Sequence, residues 1–208
     1  MYPLKGNDTL GYFGTVSAER FISGCKLANL LSIEQGHFLD THGDWLKFKV
    51  NGHFQFITKK PIKYGLSWDY LDDKNLINGG EPTIVTVNDK PYQVTLLEGE
   101  SLDLKKTSEW NQLMYKVHNG IKINQLRDYS ISTHFGCWDQ FSNEELGLGD
   151  RYGGATICKN FGSLVNDRGY VCASQILTRG GLGVSSFNRV DRSSDEIRLG
   201  WRPVLKAL

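Results

Sequence analysis

The pair Asn51-Gly52 lies between two runs of alternating apolar residues, and it constrains the fold more than any other feature of the sequence. Before the pair, Leu46, Phe48 and Val50 share one face of an extended strand. The alternation resumes directly after it. Asn-Gly favours a tight hairpin turn because both residues tolerate the positive φ that the turn requires. The sequence therefore predicts an antiparallel hairpin over residues 45 to 58.

A second hairpin is predicted over residues 83 to 97, with its turn at 88 to 90. Three serines each precede a short run with helical spacing and are expected to cap a helix: Ser23, Ser67 and Ser108. The third helix is the clearest.

After Ser108, apolar residues recur at the i, i+3, i+4 and i+7 spacing that forms one stripe along a helix: Trp110, Leu113, Met114 and Val117. This stripe predicts a helix that packs on the core rather than a cofactor site. Asn119-Gly120 follows it, as expected for a left-handed cap.

Beyond residue 130 the regular periodicity weakens and glycines become frequent. Glycine permits tight turns, so this part is expected to hold short strands joined by long loops. The predicted fold class is α+β. A β-hairpin-rich module spans residues 1–100, and a second domain with few short helices spans residues 101–208.

The overall composition excludes several classes of function. The formal net charge is +1, from 24 basic and 23 acidic residues, with no basic patch for nucleic acid. No apolar run is long enough to cross a membrane, and the first residues do not resemble a signal peptide. We therefore expect a protein that folds in a cytoplasm, without membrane insertion and without nucleic acid as a partner.

The four cysteines do not have the paired spacing of a metal site. They are Cys25, Cys137, Cys158 and Cys172. Zinc sites use closely spaced cysteine or histidine pairs, and calcium sites use several carboxylates, and neither pattern is present. We expect four reduced thiols, no metal and no cofactor. Cys158 with Cys172 is the first candidate pair should a disulfide form.

Catalytic motifs are also weak. The glycine-rich stretches at 147–149 and 180–183 lack the pattern of a phosphate-binding loop and are expected to be turns. His134 precedes Cys137 by three residues, but a catalytic thiol needs a neighbour that lowers its pKa, which spacing does not supply. The adjacent acids at 144–145 and 195–196 are expected to be solvated loop charges.

Two segments of the C-terminal part nevertheless resemble a known family. Arg179-Gly180-Gly181, followed after about twenty residues by Gly200-Trp201-Arg202, resembles the ending of formylglycine-generating enzymes and their non-catalytic relatives. The resemblance implies a C-type-lectin-like fold in which the end of the chain forms a central strand. These six residues are then structural motif positions.

A further resemblance involves the N-terminal part. The stretches 45–48 and 57–71 are similar to a module of tailed-bacteriophage virion proteins. In these relatives a Ser-Glu-Trp-Asn helix and a Gly-Trp-Arg-Pro-Val-Leu terminus follow, as at 108–111 and 200–205 here. The resemblance implies a virion protein, located in the particle and assembled in the host cytoplasm, with the N-terminal module as its anchor.

The chain departs from the enzymatic branch of the family at one point. Formylglycine-generating enzymes bind copper through two cysteines shortly after the Arg-Gly-Gly motif, and residues 182–189 here contain none. Soft thiolates are the ligands that select copper(I), so the resemblance implies a protein that is not an enzyme. A relative of the oxidase and a host carbohydrate-binding module are the alternatives.

Contact with a partner is expected in the loops between residues 136 and 195. Tyr152, Asn188 and Arg189 are the candidate surface residues, because each carries a polar tip and is expected to be exposed. Other virion proteins, of the capsid, the tail or the baseplate, are the expected partners, with an oligomeric assembly in the particle. Capsid decoration, a tail role and attachment to a host glycan or receptor remain open.

Overall fold

The computed structural model describes residues 2–77, 81–99, 108–119, 138–161 and 174–208. Strands account for 39% of these described residues and helices for 15%. The protein is therefore mainly β-sheet with few short helices, which is compatible with the predicted α+β class.

Thirteen strands were assigned within the described ranges: β1 Lys5–Gly6, β2 Leu10–Val16, β3 His37–Phe38, β4 Trp45–Val50, β5 His53–Thr58, β6 Lys63–Tyr64, β7 Ile84–Val87, β8 Lys90–Thr95, β9 Ala155–Phe161, β10 Gln175–Gly180, β11 Gly183–Asp191, β12 Leu199–Trp201 and β13 Val204–Ala207. They form a seven-stranded sheet in the order β1-β2-β4-β5-β13-β8-β7 and a six-stranded sheet in the order β11-β10-β9-β12-β6-β3. We call these the large sheet and the small sheet.

Both predicted hairpins are present. Strands β4 and β5 pair from Trp45↔Thr58 to Val50↔His53, and Asn51 and Gly52 have φ values of 48° and 89°. Strands β7 and β8 turn through Asn88 and Asp89, whose φ values are 49° and 61°. In both cases two consecutive residues with positive φ close the turn, which is the geometry that local turn chemistry predicts.

The three predicted serine caps are also present. Helix α1 spans Gly24–Leu30 and begins where the Ser23 hydroxyl accepts a bond from the Lys26 amide. Helix α2 spans Trp68–Asp73 and begins in the same way at Ser67. A 3-10 turn, Ala18–Arg20, precedes α1.

The segment behind Ser108 is helical, but its first turns differ from the prediction. Trp110–Met114 forms a π-helix, which passes into α3, Tyr115–Val117. The Ser108 hydroxyl accepts from the Asn111 amide at 3.2 Å. All four residues of the apolar stripe are buried, so its assignment to the core is confirmed. Gly120 lies outside the described residues.

Apolar side chains cover the large sheet on both faces. On one face Trp45 and Leu205 join a cluster that includes α1, α2 and residues of the small sheet. On the other face Leu46 and Val204 join a cluster built with the helical segment 110–117. Successive residues of a strand point to opposite faces of the sheet, so neighbouring side chains of β4 and β13 enter different clusters. Both strands are therefore buried on both faces.

Each sheet combines strands from both sides of residue 100. Strand β13 lies between β5 and β8 in the large sheet. In the small sheet β12 lies between β6 and β9. Only Arg202 and Pro203 separate β12 from β13, so the chain passes there from one sheet to the other. Neither sheet is therefore confined to one side of residue 100. The division into a module over residues 1–100 and a domain over 101–208 stays a prediction.

The aromatic and cysteine side chains follow the core. Trp110 and Trp201 are fully buried, whereas Trp138 is only half-buried and stacks on Phe48 at 6.4 Å between ring centroids. Cys25 and Cys158 are free thiols. Cys137 and Cys172 lie outside the described residues, as does His134. Within the described ranges, no helix combines the length and apolarity needed to span a bilayer.

Candidate ligand groove beside the C-terminal hairpin

The hairpin β10–β11 forms one edge of the small sheet. Its strands pair from Gln175↔Asp191 to Arg179↔Phe187, after which the register shifts at Gly180. Gly180 and Gly183 have φ values of 87° and 121°, which glycine adopts without strain. The turn between them is closed by the Ser186 hydroxyl, which accepts a bond from the Leu182 amide at 2.8 Å and donates one to the Gly183 carbonyl at 2.9 Å.

Three interactions fix this hairpin to the body of the protein. The Trp110 indole donates to the Val184 carbonyl oxygen at 2.8 Å. The Val184 amide donates to the Asn143 side-chain oxygen at 3.1 Å. At the far end Arg192 forms an ion pair with Asp69 of α2. Both ends of β11 are therefore held by contacts with other elements.

An open groove of about 530 Å³ lies along the hairpin. Small-ligand sites commonly have volumes of about 300–1,000 Å³. Its lining includes the run 186–191 of β11, Gln175 and Thr178 of β10, and Glu196 and Arg198 from the loop before β12. The groove therefore combines an edge strand with a wall of charged and amide side chains.

Asn188 is one of the residues that line this groove. It pairs with Thr178 across the hairpin, so the two side chains share one face of the sheet. The Thr178 hydroxyl donates to the Asn188 carbonyl at 3.4 Å. The Asn188 side-chain oxygen accepts from the Arg189 amide at 2.9 Å, which fixes the amide plane. Among the described residues the Asn188 side-chain NH₂ donates no hydrogen bond, so it is available to a ligand.

The charges of the groove are balanced. Arg189 and Arg198 contribute two positive charges, and Asp191 and Glu196 contribute two negative charges. The Ser194 hydroxyl donates to the Glu196 carboxylate at 3.4 Å. A balanced set of planar polar groups suits a ligand that both donates and accepts hydrogen bonds.

The candidate surface residues are only partly brought together. Asn188 and Arg189 both line the groove, Asn188 being exposed and Arg189 half-buried. Tyr152 is exposed but does not line it. Its ring packs against that of Tyr64, with 5.2 Å between the ring centroids. The Arg151 guanidinium lies 5.6 Å from the centroid of the Tyr152 ring. Tyr152 thus belongs to a separate surface near β6.

The motif arginine Arg202 is a structural residue of the interior. It is fully buried. Its guanidinium donates to the Thr156 hydroxyl at 3.2 Å and to the carbonyls of Thr58, Lys59 and Leu146 at 2.8, 2.5 and 2.6 Å. Burial lowers the pKa of Arg202 to about 9, which still leaves it charged at neutral pH.

Arg179 is buried beside Cys158. It donates to the Asn111 side-chain oxygen at 3.0 Å and lies over the Trp110 ring. Burial lowers the pKa of Arg179 to about 10. Burial also raises the pKa of the Cys158 thiol to about 12, although the two arginine charges oppose this rise.

The motif glycines permit close packing. A side chain at Gly180 would meet Leu148 at 2.7 Å, and one at Gly200 would meet the Gly153 carbonyl oxygen at 2.1 Å. Gly181 lies over Ala155 with ordinary contact distances. The six motif residues therefore organise the interior and the hairpin turn.

Part of the groove lining was not predicted from the sequence. Glu196 was predicted to be a solvated loop charge, and Gln175, Thr178 and Arg198 were not singled out. Had the hairpin of β10 and β11 been predicted, the pairing of its strands would have placed Thr178 opposite Asn188. Glu196 lies in the loop between β11 and β12, and no sequence pattern there predicts that it lines the groove.

In the parts of the chain that the structure describes, no group of three or more His, Cys, Asp or Glu side chains could hold a metal ion. Comparison with protein-family models, curated proteins and solved structures found no match.

Proposed function

We propose that this protein is a non-enzymatic structural component of a tailed-bacteriophage particle, and that the groove beside β10–β11 contacts a glycan or receptor on the host surface. The recognition role rests on one observation. The side chains of one open groove include Asn188, Arg189, Glu196 and Arg198. The assignment to a phage particle rests on the resemblance of the sequence to virion proteins.

The chemistry of the groove suits a carbohydrate. Sugar hydroxyls both donate and accept hydrogen bonds, and the groove offers amide, carboxylate and guanidinium groups for them. Phe187, which is 46% exposed, adds an apolar ring at the same edge. Exposed aromatic and arginine side chains contribute much of the binding energy at recognition surfaces.

The lectin-like assignment of the C-terminal part is supported by the position of the last strand. In the family that the sequence resembles, the end of the chain forms a central strand. Here β13 lies inside the large sheet, between β5 and β8, rather than at an edge. Arg202, from the motif, is held at the crossing that leads into β13.

Two observations support a non-enzymatic role. Cys158 is fully buried and its raised pKa keeps the thiol protonated at neutral pH, so it is a poor nucleophile. The stretch 182–189 contains no cysteine to bind copper. The partners in this proposal are other virion proteins, in an oligomeric assembly, together with a host glycan or receptor.

The experiment uses particles of the phage that encodes the chain. Mass spectrometry of gradient-purified particles should detect the protein at a fixed ratio to the capsid protein. Its absence from the particles overturns the virion assignment.

Adsorption of the particles tests the groove. A variant carrying Asn188→Ala, Arg189→Ala and Arg198→Ala should be incorporated normally and adsorb to host cells at least about tenfold more slowly, because several polar contacts are lost. Tyr152→Ala is the matched control on the separate surface and should adsorb normally. Equal adsorption of both variants would show that the protein is architectural.

A further inference from the structure

A second pocket lies between the large sheet and the start of the helical segment 110–117. Its volume is about 460 Å³, and it is open to solvent. Its floor is a row of three polar side chains, because Lys206 of β13 pairs with Gln55 of β5 on one side and with Gln93 of β8 on the other. Paired residues of neighbouring strands share a face, so the three side chains lie side by side.

The wall of the pocket comes from the start of the helical segment. Glu109 forms an ion pair with Lys206, and its second carboxylate oxygen accepts from the Glu98 amide at 3.0 Å. Gln112 lies one turn further along and also lines the pocket. The Lys206–Glu109 pair therefore joins the floor to the wall and holds both groups in fixed positions.

One group of the floor has an unsatisfied hydrogen-bonding capacity. Gln55 is only 7% exposed, and its buried side-chain oxygen has no hydrogen-bond partner among the described residues. A buried acceptor that is left without a partner destabilises the protein. Gln55 also lines the pocket, so a turn of its amide group would bring this oxygen to a hydroxyl donor of a ligand.

The charge of the pocket restricts the ligand. Lys206 is already neutralised by Glu109, and Glu98 adds a further acidic group. An anion would therefore meet net negative charge. The amides of Gln55, Gln93 and Gln112 each offer a donor and an acceptor, which matches hydroxyl groups.

From this arrangement we infer that the pocket formed by Gln55, Gln93 and Gln112 around the Lys206–Glu109 ion pair binds a neutral, hydroxyl-rich small molecule, namely a mono- or disaccharide. This site is separate from the groove beside β10–β11, with which it shares no lining residue. It does not depend on the location of the protein in a phage particle.

The test is titration of the full chain with a panel of neutral sugars: glucose, galactose, mannose, N-acetylglucosamine, maltose and lactose. Binding is followed by the glutamine side-chain amide signals in ¹⁵N-resolved NMR spectra. At least one sugar should shift the signals of Gln55, Gln93 and Gln112 together. Gluconate, the anionic control, should bind at least about tenfold more weakly.

Variants locate the site. Gln93→Ala with Gln112→Ala removes two partially exposed amides and should weaken the binding at least about tenfold without changing the melting temperature. Gln55→Met keeps the volume of the side chain but removes its hydrogen-bonding groups. It should abolish binding while leaving stability unchanged or increased.

Asn188→Ala in the other groove is the matched control and should bind the sugar normally. The inference is overturned if no sugar of the panel shifts these signals, or if the glutamine variants bind as tightly as the original protein. If only Asn188→Ala loses binding, the sugar binds in the groove beside β10–β11, and the inference is overturned as well.

Discussion

The indole nitrogen of Trp110 donates a hydrogen bond of 2.8 Å to the backbone carbonyl of Val184, a residue 74 positions further along the chain. Both residues are buried. The bond joins the π-helical turn to the first part of β11, the strand that lines the candidate groove. The position of the groove thus depends on a core residue that is not part of its lining.

Replacement of Trp110 by Phe keeps an aromatic ring but removes this donor. The Val184 carbonyl would lose its indole donor and a small void would remain, so we expect the free energy of unfolding to fall by about 1–3 kcal/mol. Urea denaturation measures this. Trp138→Phe is the control, since Trp138 is only half-buried, and should change stability by less than about 1 kcal/mol. Equal effects of the two variants would contradict the role given to the bond.

Arg202 provides a second test of the interior. Arg202→Met preserves most of the volume but removes the donors to three backbone carbonyls and to the Thr156 hydroxyl. We expect a loss of at least about 3 kcal/mol, because several buried acceptors lose their partner at once. Arg198→Met, at an exposed arginine, should unfold at nearly the original urea concentration. A stable Arg202→Met variant would mean that water or rearranged neighbours satisfy these carbonyls.

The raised pKa of Cys158 predicts a pH-dependent reactivity. The ordinary thiol pKa of 9.0 rises to about 12 in the folded protein because burial disfavours the thiolate. The folded state therefore keeps the proton that the unfolded chain loses above pH 9, and this thiol's contribution to stability declines between pH 9 and about 12. Below pH 9 the native thiol should react very slowly.

Alkylation by iodoacetamide, followed by peptide mass spectrometry, measures this reactivity. At pH 8 Cys25, which is partly exposed, should be modified first and serves as the internal reference. In urea all four cysteines should react, as expected for four reduced thiols. Rapid modification of native Cys158 at pH 8 would contradict its burial, and a smaller number of reactive thiols in urea would indicate a disulfide.

The parts of the fold that the sequence predicted are those set by local chemistry. Asn51-Gly52 fixes its hairpin because the turn needs two positive φ values, and Ser23, Ser67 and Ser108 cap their helices through bonds three residues away. The order of the sheets was not predicted. The pairing of Val204 with Ile57 joins residues 147 positions apart, and no local pattern specifies such a partner.

The same limit applies to the candidate site. Asn188 and Arg189 were predicted as an exposed pair, and they lie together because they are neighbours on one strand. Tyr152 was grouped with them for its polar tip, but tertiary packing places it against Tyr64. Glu196 joins the groove only because the loop before β12 returns to β10, which composition does not reveal.

Gly200 offers the sharpest steric test of the packing of β12 against the turn that precedes β9. A Cβ atom at this position would lie 2.1 Å from the Gly153 carbonyl oxygen, so Gly200→Ala forces one of the two segments to move. We expect a loss of about 3 kcal/mol or more, since the obstacle is backbone rather than a flexible side chain. Gly52→Ala is the matched control. Its φ of +89° strains an alanine, but nothing lies within 4 Å, and the cost should be only about 1–2 kcal/mol.

The displacement caused by Gly200→Ala should also reach the groove. The Gly153 amide donates to the Ile197 carbonyl at 2.9 Å, and the Ala155 amide donates to the Arg198 carbonyl at 2.8 Å. Movement of Gly153 therefore shifts the loop that carries Arg198 and Glu196. Particles with Gly200→Ala should adsorb to host cells more slowly than those with Gly52→Ala when each is assayed well below its melting temperature. Equal stability and equal adsorption of the two variants would mean that Gly153 and Gly200 are not in close contact.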